Sequence, residues 1–162
     1  ELSLQISLVL ENEGRDPIPW SAGLHPYFQV PWRKDLDLEN HLLNIASKKS
    51  YQYQPDGNLV DNSKSDYPLP LSDENLINRI HYQLESSDAE ISLLNGEETI
   101  RINEASWSGK GSRLSYVSWT KPGAPYFCLE PWMSPPNAPE NKTVQYVSPG
   151  AREEFTIEVE LA

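Results

Sequence analysis

Thiols are nearly missing from the chain: Cys128 is the single cysteine in 162 residues, so no disulfide can close within it and no thiol pair can grip a metal. Its neighbours in Pro125-Tyr126-Phe127-Cys128-Leu129 are apolar, which makes it a buried, inert thiol and fits a reducing compartment. Histidine is scarce too, and His25, His41 and His81 include no pair at zinc-binding spacing. No apolar run nears membrane-spanning length and the amino end carries no signal-peptide pattern. The expectation is a soluble, cytoplasmic protein. Basic residues are outnumbered, 13 Lys and Arg against 24 Asp and Glu, and the net charge of -11 disfavours nucleic acid and anionic membrane surfaces as partners. A glycine-rich phosphate loop and a serine in a nucleophile-elbow setting are also absent, so neither cofactor nor metal chemistry is expected.

What the chain does have is alternation. Leu2, Leu4, Ile6, Leu8 and Leu10 alternate with Ser3, Gln5, Ser7 and Val9, the period of a strand with one face on a core. Phe155, Ile157, Val159 and Leu161 repeat the pattern against glutamates and Thr156. Between these ends the spacing predicts short strands at 36–38, 42–45, 50–53, 79–85, 90–94, 99–103, 113–120, 125–130 and 143–147. Turn residues separate several of them, as at Asn95-Gly96, Lys121-Pro122-Gly123 and Ser148-Pro149-Gly150. The stretch 55–78 reads as a long irregular connection with at most one helical turn at 73–78. Many short strands with such turns argue for an all-β sandwich or barrel, and the length suits one domain, 1–162.

Two titratable residues stand in unusual settings. Glu130 ends an apolar, aromatic-rich strand and precedes Pro131, which keeps its backbone extended and turns it to the same face as Cys128 and Tyr126. His25 precedes Pro26 in Gly23-Leu24-His25-Pro26-Tyr27-Phe28. A histidine and a glutamate facing one pocket form a general acid and base, and a partly apolar pocket raises the carboxyl toward the working pH. Each residue alone also has a structural reading, as a hydrogen-bonded turn histidine or a salt-bridged strand end. His41 and His81 lack comparable settings and are assigned to structure or surface. Of the tryptophans, Trp132 is assigned to a site and Trp119 to the core; the amides of Asn137 and Gln145 are candidates for sugar hydroxyls.

The pair of stretches Gly23-Leu24-His25-Pro26-Tyr27-Phe28 and Cys128-Leu129-Glu130-Pro131-Trp132, with Ser134-Pro135-Pro136-Asn137-Ala138 and Ser148-Pro149-Gly150 after them, resembles the aldose 1-epimerase (galactose mutarotase-like) family, and more narrowly its glucose-6-phosphate 1-epimerase-like branch. The resemblance implies a large antiparallel β-sandwich that binds a free sugar in a cleft without a cofactor. It assigns Glu130 as the base that takes the anomeric hydroxyl proton and His25 as the acid that protonates the ring oxygen; Trp132, Tyr27, Asn137 and Asn78 are the candidate contacts to the sugar. Asn78 stands where the family has an acidic residue. The resemblance spans this whole chain but only the later part of the family fold, whose earlier part supplies a sugar-binding arginine and, in many members, another histidine. The partner implied is a hexose or hexose phosphate. A phosphate would call for Arg or Lys at the cleft mouth, and Arg15, Arg33 and Lys34, near the His25 stretch, are read as solvated surface charge. The competing reading is a carbohydrate-binding β-sandwich without turnover.

Overall fold

The computed structural model describes residues 2–53, 59–61, 67–105, 114–134 and 144–162. Among these the strands run β1 (Leu2–Glu11), β2 (Ile18–Trp20), β3 (Tyr27–Gln29), β4 (His41–Tyr53), β5 (Leu59–Asp61), β6 (Leu69–Pro70), β7 (Arg79–Leu93), β8 (Thr99–Glu104), β9 (Ser115–Trp119), β10 (Tyr126–Trp132), β11 (Gln145–Val147) and β12 (Arg152–Leu161). Short 3-10 turns at Leu38–Asn40 and Glu74–Leu76 are the helical pieces of the described residues, each capped by an aspartate side chain, Asp37 and Asp73. No helix here is long and apolar enough to cross a membrane.

The strands pair antiparallel throughout the ladders, as the family resemblance implied. The main sheet runs β1-β12-β8-β7-β9-β10-β3, with β4 on the opposite edge of β7 and β5 and β6 on β4; β11 and β2 form a separate pair. Two differences from the sequence reading share one cause. The separate strands expected at 42–45 and 50–53 are one strand, β4, and those at 79–85 and 90–94 are one strand, β7. Polar residues interrupt the alternation in each: β4 stays paired with β7 through Ser47 and Lys49, and β7 passes its own polar residues, 85–88, as a bulge with no partner on β4. The strand expected at 36–38 is not formed; Leu38 instead opens a 3-10 turn, because Asp37 caps it and Asn40 answers to the Asp37 backbone.

β7 is the hinge of the architecture. Ile45 pairs with Ala89 and Ser47 with Leu84, so β7 carries extra residues at 85–88 opposite a single step of β4. Beside this bulge, Gln83 has φ 53°. On its other edge β7 holds β9 with Arg79–His81 and β8 with Ala89–Ser92, so the sheet forks across the bulge. Tyr116 fills the fork. Its buried hydroxyl lies 2.5 Å from the Ser87 carbonyl and 3.0 Å from that of Ile102, tying β9 to both β7 and β8. Burial pushes that hydroxyl well above its ordinary titration range.

Alternation along β10 sorts the two faces of its branch. Phe127 and Leu129 enter the core with Phe28 and Tyr116, while Tyr126, Cys128, Glu130 and Trp132 take the other face. Two clusters of polar side chains in the core are paired, while the buried Ser115 Oγ has no partner among the described residues. Ser118 Oγ donates to the Leu76 carbonyl at 2.6 Å and so accepts from His81 Nε2 at 3.0 Å, which leaves His81 Nδ1 to accept from the Tyr67 hydroxyl at 2.8 Å. Arg79 donates to Ser50 at 3.1 and 2.7 Å and lies over the Tyr67 ring. At the far end of the sheet the apolar row of β1 leaves the core: Leu8 packs against it, but Leu2 and Leu4 are 67% and 58% exposed. The alternation was sound, yet nothing among the described residues covers that end of the strand.

Candidate functional site

The base of the site is β10, where Pro131 continues the strand one step past Glu130 with Trp132 as its last residue. The segment before β3 is laid along this end of β10 by backbone bonds: Met133 N donates to the Ala22 carbonyl at 2.8 Å and Leu24 N to the Pro131 carbonyl at 3.0 Å, with Gly23 bridging to Trp132 between them. That docking fixes His25 beside Glu130. His25 Nε2 lies 3.2 Å from Glu130 Oε1, the histidine side chain 42% exposed and the glutamate 7%. Trp132 Nε1 donates to the other carboxylate oxygen, Oε2, at 3.2 Å. Among the described residues each oxygen thus has one partner, and the carboxylate plane is held from both ends.

Burial raises the Glu130 carboxyl above its ordinary value, while the neighbouring His25 and the Trp132 hydrogen bond pull it back down. Beneath it, the buried Cys128 thiol is pushed up to about 12 by burial and then by the Glu130 charge, so it is the inert group the sequence implied.

Aromatic rings frame His25. Tyr27, itself 58% exposed, stacks on the imidazole with centroids 4.8 Å apart and planes 9° from parallel. Trp119 meets the imidazole edge-on at 5.7 Å and stacks with Tyr126 at 5.9 Å. Trp119 is therefore not a core residue, contrary to its assignment from sequence. The register pairs it with Cys128, which itself pairs with Tyr27, so all of these lie on the site face. Lys121 Nζ sits 5.6 Å from the Trp119 ring centroid. The same register carries a row from Glu130 through Val117 and Ile80 to Tyr51. Tyr51 stacks on Tyr82 with their hydroxyls 2.9 Å apart, and burial, then Tyr51, pushes Tyr82 up to about 12.

The structure thus brings together His25, Glu130, Trp132 and Tyr27. Asn78 is exposed at the start of β7 with φ 57°, and its carbonyl accepts from Tyr53 N at 2.8 Å. The register that pairs Arg79 with Ser118 sets it at the level of Trp119, the row of Cys128 and Tyr27. Asn137 lies outside the described residues, and Gln145 belongs to the separate ladder with Trp20. His41 and His81 are structural: His41 is buried, its Nδ1 donating to the Asp37 carbonyl at 2.8 Å and its Nε2 accepting from Trp32 N at 3.3 Å. Of the basic residues near His25, Arg33 is drawn to Glu97 and Glu98. Sequence reasoning missed Trp119, Tyr51, Tyr82 and Lys121 as site-face residues; the signal that could have found them was strand register, which a single strand does not display.

No protein-family model and no curated protein matches the chain. Solved structures do. A galactose mutarotase-like protein from Clostridium acetobutylicum matches with a TM-score of 0.76 at 15% identity, over 98% of this chain and 52% of that one. A galactose mutarotase related enzyme from Lactobacillus acidophilus matches with a TM-score of 0.73 at 15% identity, over 99% and 57%. A protein from Synechocystis sp. PCC 6803 matches with a TM-score of 0.72 at 23% identity, over 99% and 50%. The chain has a galactose mutarotase-like fold. It spans about half the length of these structures, and at such identities the likeness speaks for the fold alone.

Proposed function

We propose that this chain, acting as one unit over 1–162, carries the acid–base pair of an aldose 1-epimerase-like isomerase, with a free hexose or hexose phosphate as substrate. The observation that carries the reading is the buried Glu130 carboxylate held between Trp132 Nε1 and the half-exposed His25. Anomer interconversion needs one group to take a proton from the anomeric hydroxyl and another to give one to the ring oxygen. Both oxygens are bonded to the same carbon, so two groups as close together as His25 and Glu130 can reach both.

In this reading ionised Glu130 takes the proton from O1 while protonated His25 gives its Nε2 proton to O5. The C1–O5 bond breaks, a C1 carbonyl forms, and the open chain turns about C1–C2. Reclosure runs the steps backward: O5 attacks C1, His25 recovers its proton and Glu130 returns one to O1. Charge and protons balance without a cofactor. The exposed ring of Tyr27 and the Trp119–Tyr126 stack offer apolar faces to the sugar, and Trp132 and Asn78 complete the candidate contacts.

The test is magnetisation-exchange NMR between the α and β anomers of glucose, galactose and glucose 6-phosphate. Faster exchange of one sugar with the wild type, lost in Glu130→Gln without matching loss of binding, is the expected result. Broadened sugar signals at an unchanged exchange rate would instead favour a binding module that uses the exposed aromatic rings. No effect on any sugar would remove the proposal.

A further inference from the structure

The position of the Trp132 indole depends on a residue that touches neither the carboxylate nor the imidazole. A β-carbon built on Gly23 would lie 2.0 Å from Trp132 Cε3, 2.3 Å from Cδ2 and 2.6 Å from Cζ3. These are atoms of the six-membered ring, so the indole lies flat on the Gly23 backbone. Gly23 has no left-handed φ to explain it; what the position requires is space. Nor can the Gly23 segment retreat freely. The bonds from Met133 N to the Ala22 carbonyl and from Leu24 N to the Pro131 carbonyl clamp it to β10 on both sides, and Ser21 Oγ and Ser134 Oγ add a contact of 2.6 Å. A side chain at 23 must therefore displace the indole rather than the backbone.

We propose that Gly23 is a positioning residue: its missing β-carbon lets the Trp132 indole lie against the backbone, which aims the indole N–H at Glu130 Oε2 and holds the carboxylate facing His25. The mechanical part of this stands on the geometry alone, while its catalytic meaning rests on the proposed role of Glu130 as a base. The same segment that delivers His25 thereby also sets the orientation of its partner. One short stretch, Gly23-Leu24-His25, fixes both members of the pair.

The decisive readout is the titration of the Glu130 carboxyl, followed by carbon-detected NMR of the labelled protein, because it needs no turnover. Among the described residues the titratable groups that act on this carboxyl are His25, Tyr27 and Cys128, and none is altered by the variants below. Gly23→Ala should raise the Glu130 pKa, since the hydrogen bond that opposes burial is lost. Trp132→Phe, which keeps a ring but has no N–H, should move it in the same direction. In a Trp132→Ala background, where there is no indole to displace, adding Gly23→Ala should change nothing. Alongside this, anomer exchange by Gly23→Ala should fall by about 10- to 100-fold, the range spanned by one hydrogen bond to a charged group, with KM little affected.

A folded Gly23→Ala protein with an unmoved Glu130 pKa would overturn the proposal, as would an equal shift in the Trp132→Ala background. Should Gly23→Ala alone fail to fold, the double variant with Trp132→Ala must still fold and titrate like Trp132→Ala; its failure would also overturn it. A shifted carboxyl in a protein that never interconverts anomers would leave the positioning role standing and sink the epimerase reading.

Discussion

Replacing Glu130 by glutamine should separate function from stability in opposite directions. The carboxyl is buried, and its pKa is raised chiefly by desolvation. A raised pKa means that the folded state holds the proton more tightly than the unfolded chain, so the folded state binds more protons and stability falls as pH rises. This contribution is fully present below the unfolded value of about 4.3 and is lost as pH climbs through the raised folded value. Wherever the folded protein carries this carboxylate ionised it therefore does so at a net cost, about 1.4 kcal/mol for every tenfold tightening of the proton in the folded state. Glutamine keeps an oxygen acceptor for Trp132 Nε1 and sheds the charge. Its loss is the attraction to His25, whose side chain is 42% exposed; pairs screened by solvent are worth about 0–1 kcal/mol. The balance predicts that Glu130→Gln is as stable as the wild type near pH 7 or more so, while anomer exchange drops by about 10²- to 10⁴-fold, the usual contribution of general base catalysis. Urea unfolding at pH 5 and 8 with exchange NMR on the same samples checks both halves. A variant destabilised by more than about 1 kcal/mol at neutral pH would refute the reasoning, because burial would not then be the dominant influence on this carboxyl.

Tyr116→Phe should cost about 1–3 kcal/mol in chemical denaturation, since the Ser87 and Ile102 carbonyls lose their buried donor at the fork of β7. His81 is held neutral, its pKa lowered to about 3 by burial and then by Arg79. The unfolded chain takes up that proton first, so stability should fall as pH drops from about 6.5 toward 3, and thermal melts of His81→Gln should lack this slope. Cys128, buried and pushed up to about 12, should resist an aromatic disulfide reagent at pH 8 until denaturant is added; fast labelling of the native protein would contradict its burial.

How much of this was legible in the sequence depended on whether a feature is local. The alternation in 155–161 reports a half-buried strand by itself, and Pro131 after Glu130 reports an extended backbone by itself, so β12 and the facing of Glu130 followed directly. Trp119 and Tyr51 behave differently. Each sits in a strand whose own pattern does not say which neighbour it will have, and only the ladder Glu130 to Val117 to Ile80 to Tyr51 puts them on one face. Register of that kind is decided by pairing between distant segments and by the bulge at 85–88, which a one-dimensional period cannot encode. The two merged strands have the same origin, since β4 is carried through Ser47 and Lys49 by its pairing with β7, and β7 spans its own polar residues as a bulge. The proposed acid–base pair falls between these cases. His25 and Glu130 each stood out locally, and the resemblance joined them. Their meeting, though, depends on backbone bonds between 22–24 and 131–133 and on a glycine that makes room for an indole. A motif in which Gly23 and His25 stand two residues apart can therefore carry a mechanical requirement and a chemical one together, and the test at Gly23 asks whether the first is what makes the second possible.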